Sequence, residues 1–153
     1  MLAAVAHELE AAVRDSATRL RQVDEATASQ RPAPQRWTIK EVMGHLIDSA
    51  TNNHQRFIRA QFVPELVFPK YEQNEWITAQ AYNEVSWQKL LDLWQAYNEH
   101  LAHVIRQVRP AALPVSCVIG TYEPMTLEAL IEDYVVHLRH HLQKIDERLA
   151  AQP

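Results

Sequence analysis

Apolar residues recur at helical spacing in four long stretches of the chain, with proline-containing segments between them. In the last stretch, for example, Leu127, Leu130, Ile131, Tyr134 and Leu138 fall on one side of a helix. This periodicity predicts four amphipathic helices. Their expected limits are about 2–23, 38–62, 86–105 and 126–150.

Local signals support two of these helix starts and describe the connections. Thr38 and Glu41 have capping-box spacing, and Ser86 occupies an N-cap position. The connector after the second helix contains a possible short helix over 74–82. In the segment 109–124, only 115–119 indicates a strand or turn. Four helices of this length predict an all-α protein, a four-helix bundle, formed as one domain over 1–153, with at least one long connection.

Composition excludes several classes of protein. The 153 residues carry a formal net charge of −4, which argues against nucleic-acid binding. No apolar run approaches the roughly 20 residues that span a bilayer. The N-terminus lacks the basic region of a secretory signal, so we expect a cytoplasmic protein without membrane association. Two glycines disfavour phosphate-binding loops, and a single cysteine excludes an internal disulfide.

Three histidines carry the strongest chemical signal. His137 and His141 are four residues apart in the fourth helix, so their imidazoles lie on the same side of it. His45, in the second helix, is a candidate third ligand. Three imidazoles with open coordination positions are typical of a catalytic metal site. The alternative is that these are ordinary histidines, as we expect for the surface pair His100 and His103.

Other reactive side chains give weaker signals. Cys117 lies among apolar residues and is expected to be a small buried residue rather than a nucleophile. A hydrolase would need a general base near the metal, and no glutamate directly follows His137. Asp48, Glu123 and Asp133 are candidates for that base only by elimination.

The ordered set of motifs resembles the DinB/YfiT-like superfamily of metalloenzymes, closest to its YfiT-like branch. The resemblance extends from the second helix to the fourth. It rests on Trp37-Thr38, Glu41-Val42, His45, Asp48-Ser49, Arg56-Phe57, Tyr71-Glu72, Trp76, His137 and His140-His141-Leu142.

The resemblance implies an up-down-down-up four-helix bundle that forms a homodimer. It also implies a divalent metal ion, nickel or zinc, bound by His45, His137 and His141. Some members transfer low-molecular-weight thiols such as bacillithiol, mycothiol or glutathione, and others are described as metal-dependent hydrolases.

Three functions follow from this reading. The first is a thiol S-transferase, in which a metal-bound thiolate attacks an electrophilic substrate. The second is a hydrolase that uses metal-bound water. The third is a non-catalytic bundle that binds metal in a stress-related role.

Overall fold

The computed structural model describes residues 1–151, and within that range it contains six α-helices and three short strands. The helices are α1 (Leu2–Leu20), α2 (Glu25–Ser29), α3 (Ile39–Arg59), α4 (Gln73–Gln80), α5 (Trp87–Gln107) and α6 (Leu127–Ala150). The strands are β1 (Glu65–Phe68), β2 (Ser116–Ile119) and β3 (Met125–Thr126). Single 3₁₀ turns occupy Ala60–Phe62, Tyr82–Glu84 and Pro110–Ala112.

Ion pairs along α1 and α6 show that these two helices are parallel. Arg139 pairs with Glu8 near the start of α1. Closer to the ends of both helices, Arg19 donates to Asp146 at 2.7 Å. Contacts that advance together along both helices are possible only when the helices have the same direction.

Contacts between α1 and α5 advance in opposite senses, so these helices are antiparallel. Arg106, near the end of α5, donates to both carboxylate oxygens of Glu10 at 2.5 and 2.6 Å. Arg21, just beyond α1, donates to Gln95 at 3.0 Å. The two interactions hold the outer faces of α1 and α5 together.

Aromatic contacts between α3 and α6 complete the topology. His45 contacts His141 with ring centroids 4.7 Å apart, whereas Phe57, three turns later, contacts Tyr134, which precedes His141. The two helices are therefore antiparallel. Taken with the directions of α1, α5 and α6, this gives an up-down-down-up four-helix bundle and confirms the predicted fold.

The second predicted helix is the most buried element of the bundle. The capping box of α3 is confirmed, because Glu41 N–H donates to Thr38 Oγ1 at 3.1 Å and Thr38 N–H donates to the Glu41 carboxylate at 2.8 Å. His45 is only 1% exposed. Helices α5 and α6 and the segment containing α4 and Tyr82 cover α3 on several sides, so its polar face is buried too.

The region between α1 and α3 differs from the prediction. Helix α1 ends at Leu20 rather than Val23, and Asp24 begins the short helix α2 by accepting a 2.7 Å bond from Thr27 N–H. Helix α5 begins directly after Ser86, as predicted, but the serine side chain makes no capping bond. Instead, Glu25 of α2 accepts the Trp87 N–H at 2.9 Å.

A small sheet lies in the connections. Strand β1 pairs in parallel with β2, placing Leu66 opposite Cys117, and β2 pairs antiparallel with β3. Only the β2 segment was expected to be extended. The prediction missed β1 and β3 because strands of four and two residues show almost no periodicity, and the partner of β1 lies in a distant part of the chain. No helix within residues 1–151 is long and apolar enough to cross a membrane.

Candidate metal centre

The structure brings the three predicted histidines together. His45 comes from α3, whereas His137 and His141 come from successive turns of α6. The ring centroids are 4.6 Å apart for His137 and His141, 4.7 Å for His45 and His141, and 5.1 Å for His45 and His137. One ring nitrogen from each residue lies within 4.8 Å of the other two. We call these three side chains the histidine triad.

The spacing of the nitrogens suits one shared cation. His45 Nε2 and His137 Nε2 are 3.2 Å apart. Two nitrogen ligands of a tetrahedral zinc ion are separated by about 3.3 Å, from bond lengths of about 2.0–2.1 Å. A direct hydrogen bond would also suit that pair, but it would leave out His141, whose imidazole makes no hydrogen bond within the described range 1–151. The ring nitrogens of all three histidines are close enough together to serve as ligands of one divalent cation.

Burial keeps the triad uncharged and ready to donate lone pairs. Burial, with a smaller contribution from the other two imidazoles, lowers the pKa of His45 to about 3. Burial and neighbouring imidazoles also lower the pKa of His141 to about 4. The pKa of His137 is lowered by burial, an effect that the nearby Asp133 carboxylate partly opposes. Neutral imidazole is the form that binds metals.

Trp37 covers one side of the triad and forms part of a cleft. Its ring lies 5.3 Å from that of His45, and its Nε1–H donates to Asn74 of α4 at 3.1 Å. Together with His141 and Arg148, Trp37 and Asn74 line a cavity of about 670 Å³, which we call the Trp37 cleft. One member of the triad is therefore accessible from this cleft.

His137 lines a different and smaller cavity of about 250 Å³. We call it the Arg56 pocket, after the buried arginine in its wall. Its lining comes from α3, from the segment 70–73 that leads into α4, from the loop between β2 and β3, and from α6. The polar and aromatic members are Ser49, Asn53, Arg56, Lys70, Tyr71, Gln73, Tyr122, Asp133, Tyr134 and His137.

The three candidate general bases have different surroundings. Asp133 lines the Arg56 pocket four residues before His137. Glu123 is exposed, and it lines neither cavity. Asp48 is buried and accepts hydrogen bonds from Tyr82 at 2.6 Å and Gln80 at 2.8 Å, and burial raises its pKa. Of the three, Asp133 shares a cavity with the triad.

Gly44 explains how Tyr82 reaches Asp48. A Cβ atom at Gly44 would stand 2.5 Å from Tyr82 Cε2, and two further ring carbons would be closer still. The absence of a side chain at Gly44 therefore lets the tyrosine lie directly on α3. The residue after this glycine is His45, so the close contact is adjacent to the triad.

Of the other histidines, His140 lies beside the triad, with its ring centroid 5.6 Å from that of His141. His54, His100, His103 and Cys117 are not part of the triad. His54 Nδ1 is 2.8 Å from the Tyr97 hydroxyl, and the His54 ring contacts His100. His100 and His103 are exposed, as predicted. Cys117 is fully buried in β2, and burial raises the pKa of its thiol, which confirms that it is a small buried residue.

Sequence reasoning did not assign a role to Arg56 or to the tyrosines of its pocket. Arg56 and Tyr71 were noted only as parts of a family resemblance. A charged residue within the apolar pattern of α3 was the available signal, since such residues are seldom buried without a partner. Trp76, which belongs to the same resemblance, contacts Tyr71 with ring centroids 4.7 Å apart and is 37% exposed.

Comparison with protein families gives a match over almost the whole bundle. The model of the DinB superfamily matches residues 8–145, which include α3, most of α6 and the complete triad. The chain belongs to the DinB superfamily. The resemblance inferred from the motifs is thereby confirmed.

Individual DinB relatives are distant in sequence but similar in fold. A Halalkalibacterium halodurans protein that bears the name "putative metal-dependent hydrolase BH0277" is 24% identical over 127 residues, covering 83% of this chain and 74% of the relative. YfiT from Bacillus subtilis is called "a probable metal-dependent hydrolase with an unusual four-helix bundle topology". Its structure aligns with a TM-score of 0.78 at 20% identity, over 99% of this chain and 87% of YfiT.

A second kind of structural neighbour is a thiol-dependent enzyme. A mutant of the mycothiol-dependent maleylpyruvate isomerase aligns with a TM-score of 0.71 at 16% identity. The alignment covers 93% of this chain but 60% of the isomerase, so the isomerase is substantially longer. At this level of identity the likeness concerns the fold alone.

Proposed function

We propose that His45, His137 and His141 bind one divalent cation, nickel or zinc, and that the protein transfers a low-molecular-weight thiol to an electrophile. The observation that carries the proposal is the meeting of three uncharged imidazoles next to two cavities. When bound, a divalent cation supplies Lewis acidity, which lowers the pKa of a thiol or of water and stabilises developing negative charge.

The protein's own residues supply position and electrostatics. Because the triad is neutral, it leaves the full positive charge of a cation for exogenous ligands. Trp37 shields His45 from solvent on one side. Rigid helices position all three ligands, which keeps the geometry constant during substrate exchange.

Two cavities favour a reaction with two substrates. His141 is reached from the Trp37 cleft and His137 from the Arg56 pocket, so a thiol and an electrophile can approach different members of the triad. The fold shared with a mycothiol-dependent isomerase supports the choice of a thiol as one substrate. The other substrate would occupy the second cavity.

Hydrolysis is the second candidate, and Asp133 is the observation that favours it. Its carboxylate lines the same pocket as His137, where it could accept a proton from water. The names of the H. halodurans relative and of YfiT also refer to metal-dependent hydrolysis. In this case a single substrate and a water molecule would share the Arg56 pocket.

A non-catalytic metal site would be expected to have a fourth protein ligand that closes it. Within the described range 1–151, the group of metal-ligating side chains at this position contains only the three histidines. A three-ligand site leaves a coordination position open for a substrate. The geometry therefore favours an enzyme over a purely structural site.

The test uses untagged protein loaded with zinc or nickel. A panel of thiols is combined with a chlorinated nitroaromatic, and adduct formation is followed by absorbance. We expect metal-dependent adduct formation with at least one thiol and its loss in His137→Ala and His141→Ala. The matched control is His100→Ala, which removes an exposed histidine outside the triad and should retain activity.

A parallel assay separates transfer from hydrolysis. A nitrophenyl ester is supplied without thiol, and release of nitrophenol is measured. Metal-dependent ester cleavage, together with no adduct from any thiol, would contradict the transferase proposal and favour hydrolysis. Absence of both reactions in metal-loaded protein would contradict both enzyme proposals.

A further inference from the structure

Arg56 is a buried cation for which the described residues 1–151 provide no anionic partner. The residue is only 8% exposed, and its Nε atom has no hydrogen-bond partner in that range. The one hydrogen bond that the guanidinium makes to the described part of the chain goes to the neutral amide oxygen of Asn53, at 3.4 Å. On another side, the Arg56 Cζ lies 5.3 Å from the centre of the Phe68 ring.

Such an arrangement is energetically unfavourable unless an anion is present. Arginine remains protonated in proteins, so burial cannot neutralise it by removing a proton. A buried charge is normally paired or fully hydrogen-bonded. Among residues 1–151 no carboxylate forms an ion pair with Arg56. The planar guanidinium presents two parallel N–H groups, which suit a two-point contact with the carboxylate of a bound ligand.

The other groups of the pocket agree with an anionic ligand. The hydroxyl groups of Tyr71 and Tyr122 line it, and neither donates a hydrogen bond to a protein group in the described range. Lys70 adds a second cation, which also forms an exposed 3.3 Å pair with Glu72. Ser49 contributes a further hydroxyl group.

Among the described residues that line this pocket, Asp133 is the one acidic group. It is exposed to solvent, so water and ions screen its repulsion of a bound anion. Asp133 raises the pKa of His137, although burial lowers that pKa by a larger amount. The charge within the buried part of the pocket is therefore positive.

We propose that the Arg56 pocket binds a carboxylate group of a substrate, with Arg56 as its principal recognition residue. The same pocket includes His137, so a carboxylate held by Arg56 directs the rest of that molecule towards the triad. That the reactive end of this substrate meets a metal ion at the triad rests on the proposed function. Recognition of the carboxylate by Arg56 is independent of the proposed function.

Binding is tested first in metal-free protein by calorimetry, with benzoate as the probe and uncharged benzamide as its isosteric comparison. We expect benzoate to bind and benzamide to bind at least about tenfold more weakly. The variant Arg56→Gln should bind both equally. The control Arg59→Gln removes an exposed arginine of the same helix and should keep the preference.

A second variant covers the possibility that Arg56→Gln fails to fold. Arg56→Lys keeps the charge but loses the two-point fork, and should weaken benzoate binding by about tenfold while circular dichroism remains native. Undiminished benzoate binding in a folded Arg56 variant would overturn the proposal. So would the absence of benzoate binding to folded wild-type protein.

Kinetics then identifies which substrate carries the carboxylate. Metal-loaded enzyme is assayed with 3-mercaptopropionate against 2-mercaptoethanol, and with 4-chloro-3-nitrobenzoate against its amide. In Arg56→Lys, KM should rise only for the carboxylate form of one partner. An equal rise for charged and neutral forms of both partners would contradict carboxylate recognition. If no thiol reacts, the S-transferase proposal fails, whereas the benzoate result still decides the role of Arg56.

Discussion

Gly44 provides a direct test of how the region beside the triad is packed. In the variant Gly44→Ala, the added Cβ would stand 2.5 Å from Tyr82 Cε2, and closer to two other ring carbons, so the tyrosine ring must move. Its 2.6 Å hydrogen bond to Asp48 would then be lost or stretched.

The magnitude follows from three contributions. Overpacking in a dense core costs about 1–3 kcal/mol, and loss of a hydrogen bond to a carboxylate costs about 1.5–3 kcal/mol. Replacing a helical glycine by alanine returns about 1 kcal/mol through helix propensity. We therefore expect Gly44→Ala to reduce the free energy of unfolding by about 1.5–5 kcal/mol.

Urea denaturation followed by circular dichroism measures this change, and a second background isolates its cause. In Tyr82→Ala protein the obstructing ring is absent, so adding Gly44→Ala should be neutral or should stabilise by up to about 1 kcal/mol. The packing argument is refuted if Gly44→Ala lies within about 0.5 kcal/mol of wild type, or if its cost is the same in both backgrounds.

Three further predictions concern pH, backbone strain and chemistry. Burial holds the pKa of His45 at about 3, so below about pH 6.5 this residue binds a proton in the unfolded metal-free chain but not in the folded one. As the pH is lowered from about 6.5 to 4, the free energy of unfolding should therefore decrease more steeply in wild type than in His45→Gln, and equal slopes in urea denaturation would disprove this. Ala81 has a left-handed backbone with φ of 48°, a conformation that glycine adopts without steric strain. Ala81→Gly should therefore raise the thermal midpoint in calorimetry, through a net gain of about 0.5–1 kcal/mol in the free energy of unfolding, and a lowered midpoint would contradict the strain. If Asp133 acts as a base for water, Asp133→Asn should reduce ester hydrolysis at least about tenfold while metal content is unchanged, and an unaffected rate would exclude that role.

Much of the bundle was predictable because its long helices carry their own signals. Apolar periodicity located all four, and the capping pair Thr38 and Glu41 marked the start of α3 correctly. The end of α1 was less predictable, since the apolar pattern continues to Val23 although the helix stops at Leu20. Asp24 adopts an extended backbone as the N-cap of α2, which is incompatible with continuing α1 through this position.

The candidate site was predictable only in part. The spacing of His137 and His141 indicates one side of a single helix, and His45 was a candidate third ligand that the family resemblance then implied as well. The Arg56 pocket could not be predicted, because its lining comes from four separate regions that meet only in the folded protein. Similarly, β1 depends on pairing with β2, about fifty residues away, rather than on any local pattern.

The most direct test of the central claim is titration of untagged, metal-free protein with Co²⁺, monitored by visible absorption. The account predicts one equivalent bound per chain, with the absorption bands lost in His45→Ala, His137→Ala and His141→Ala and retained in His100→Ala. Binding of Co²⁺ with unchanged stoichiometry and spectrum in the three triad variants, or no binding by wild-type protein, would contradict it.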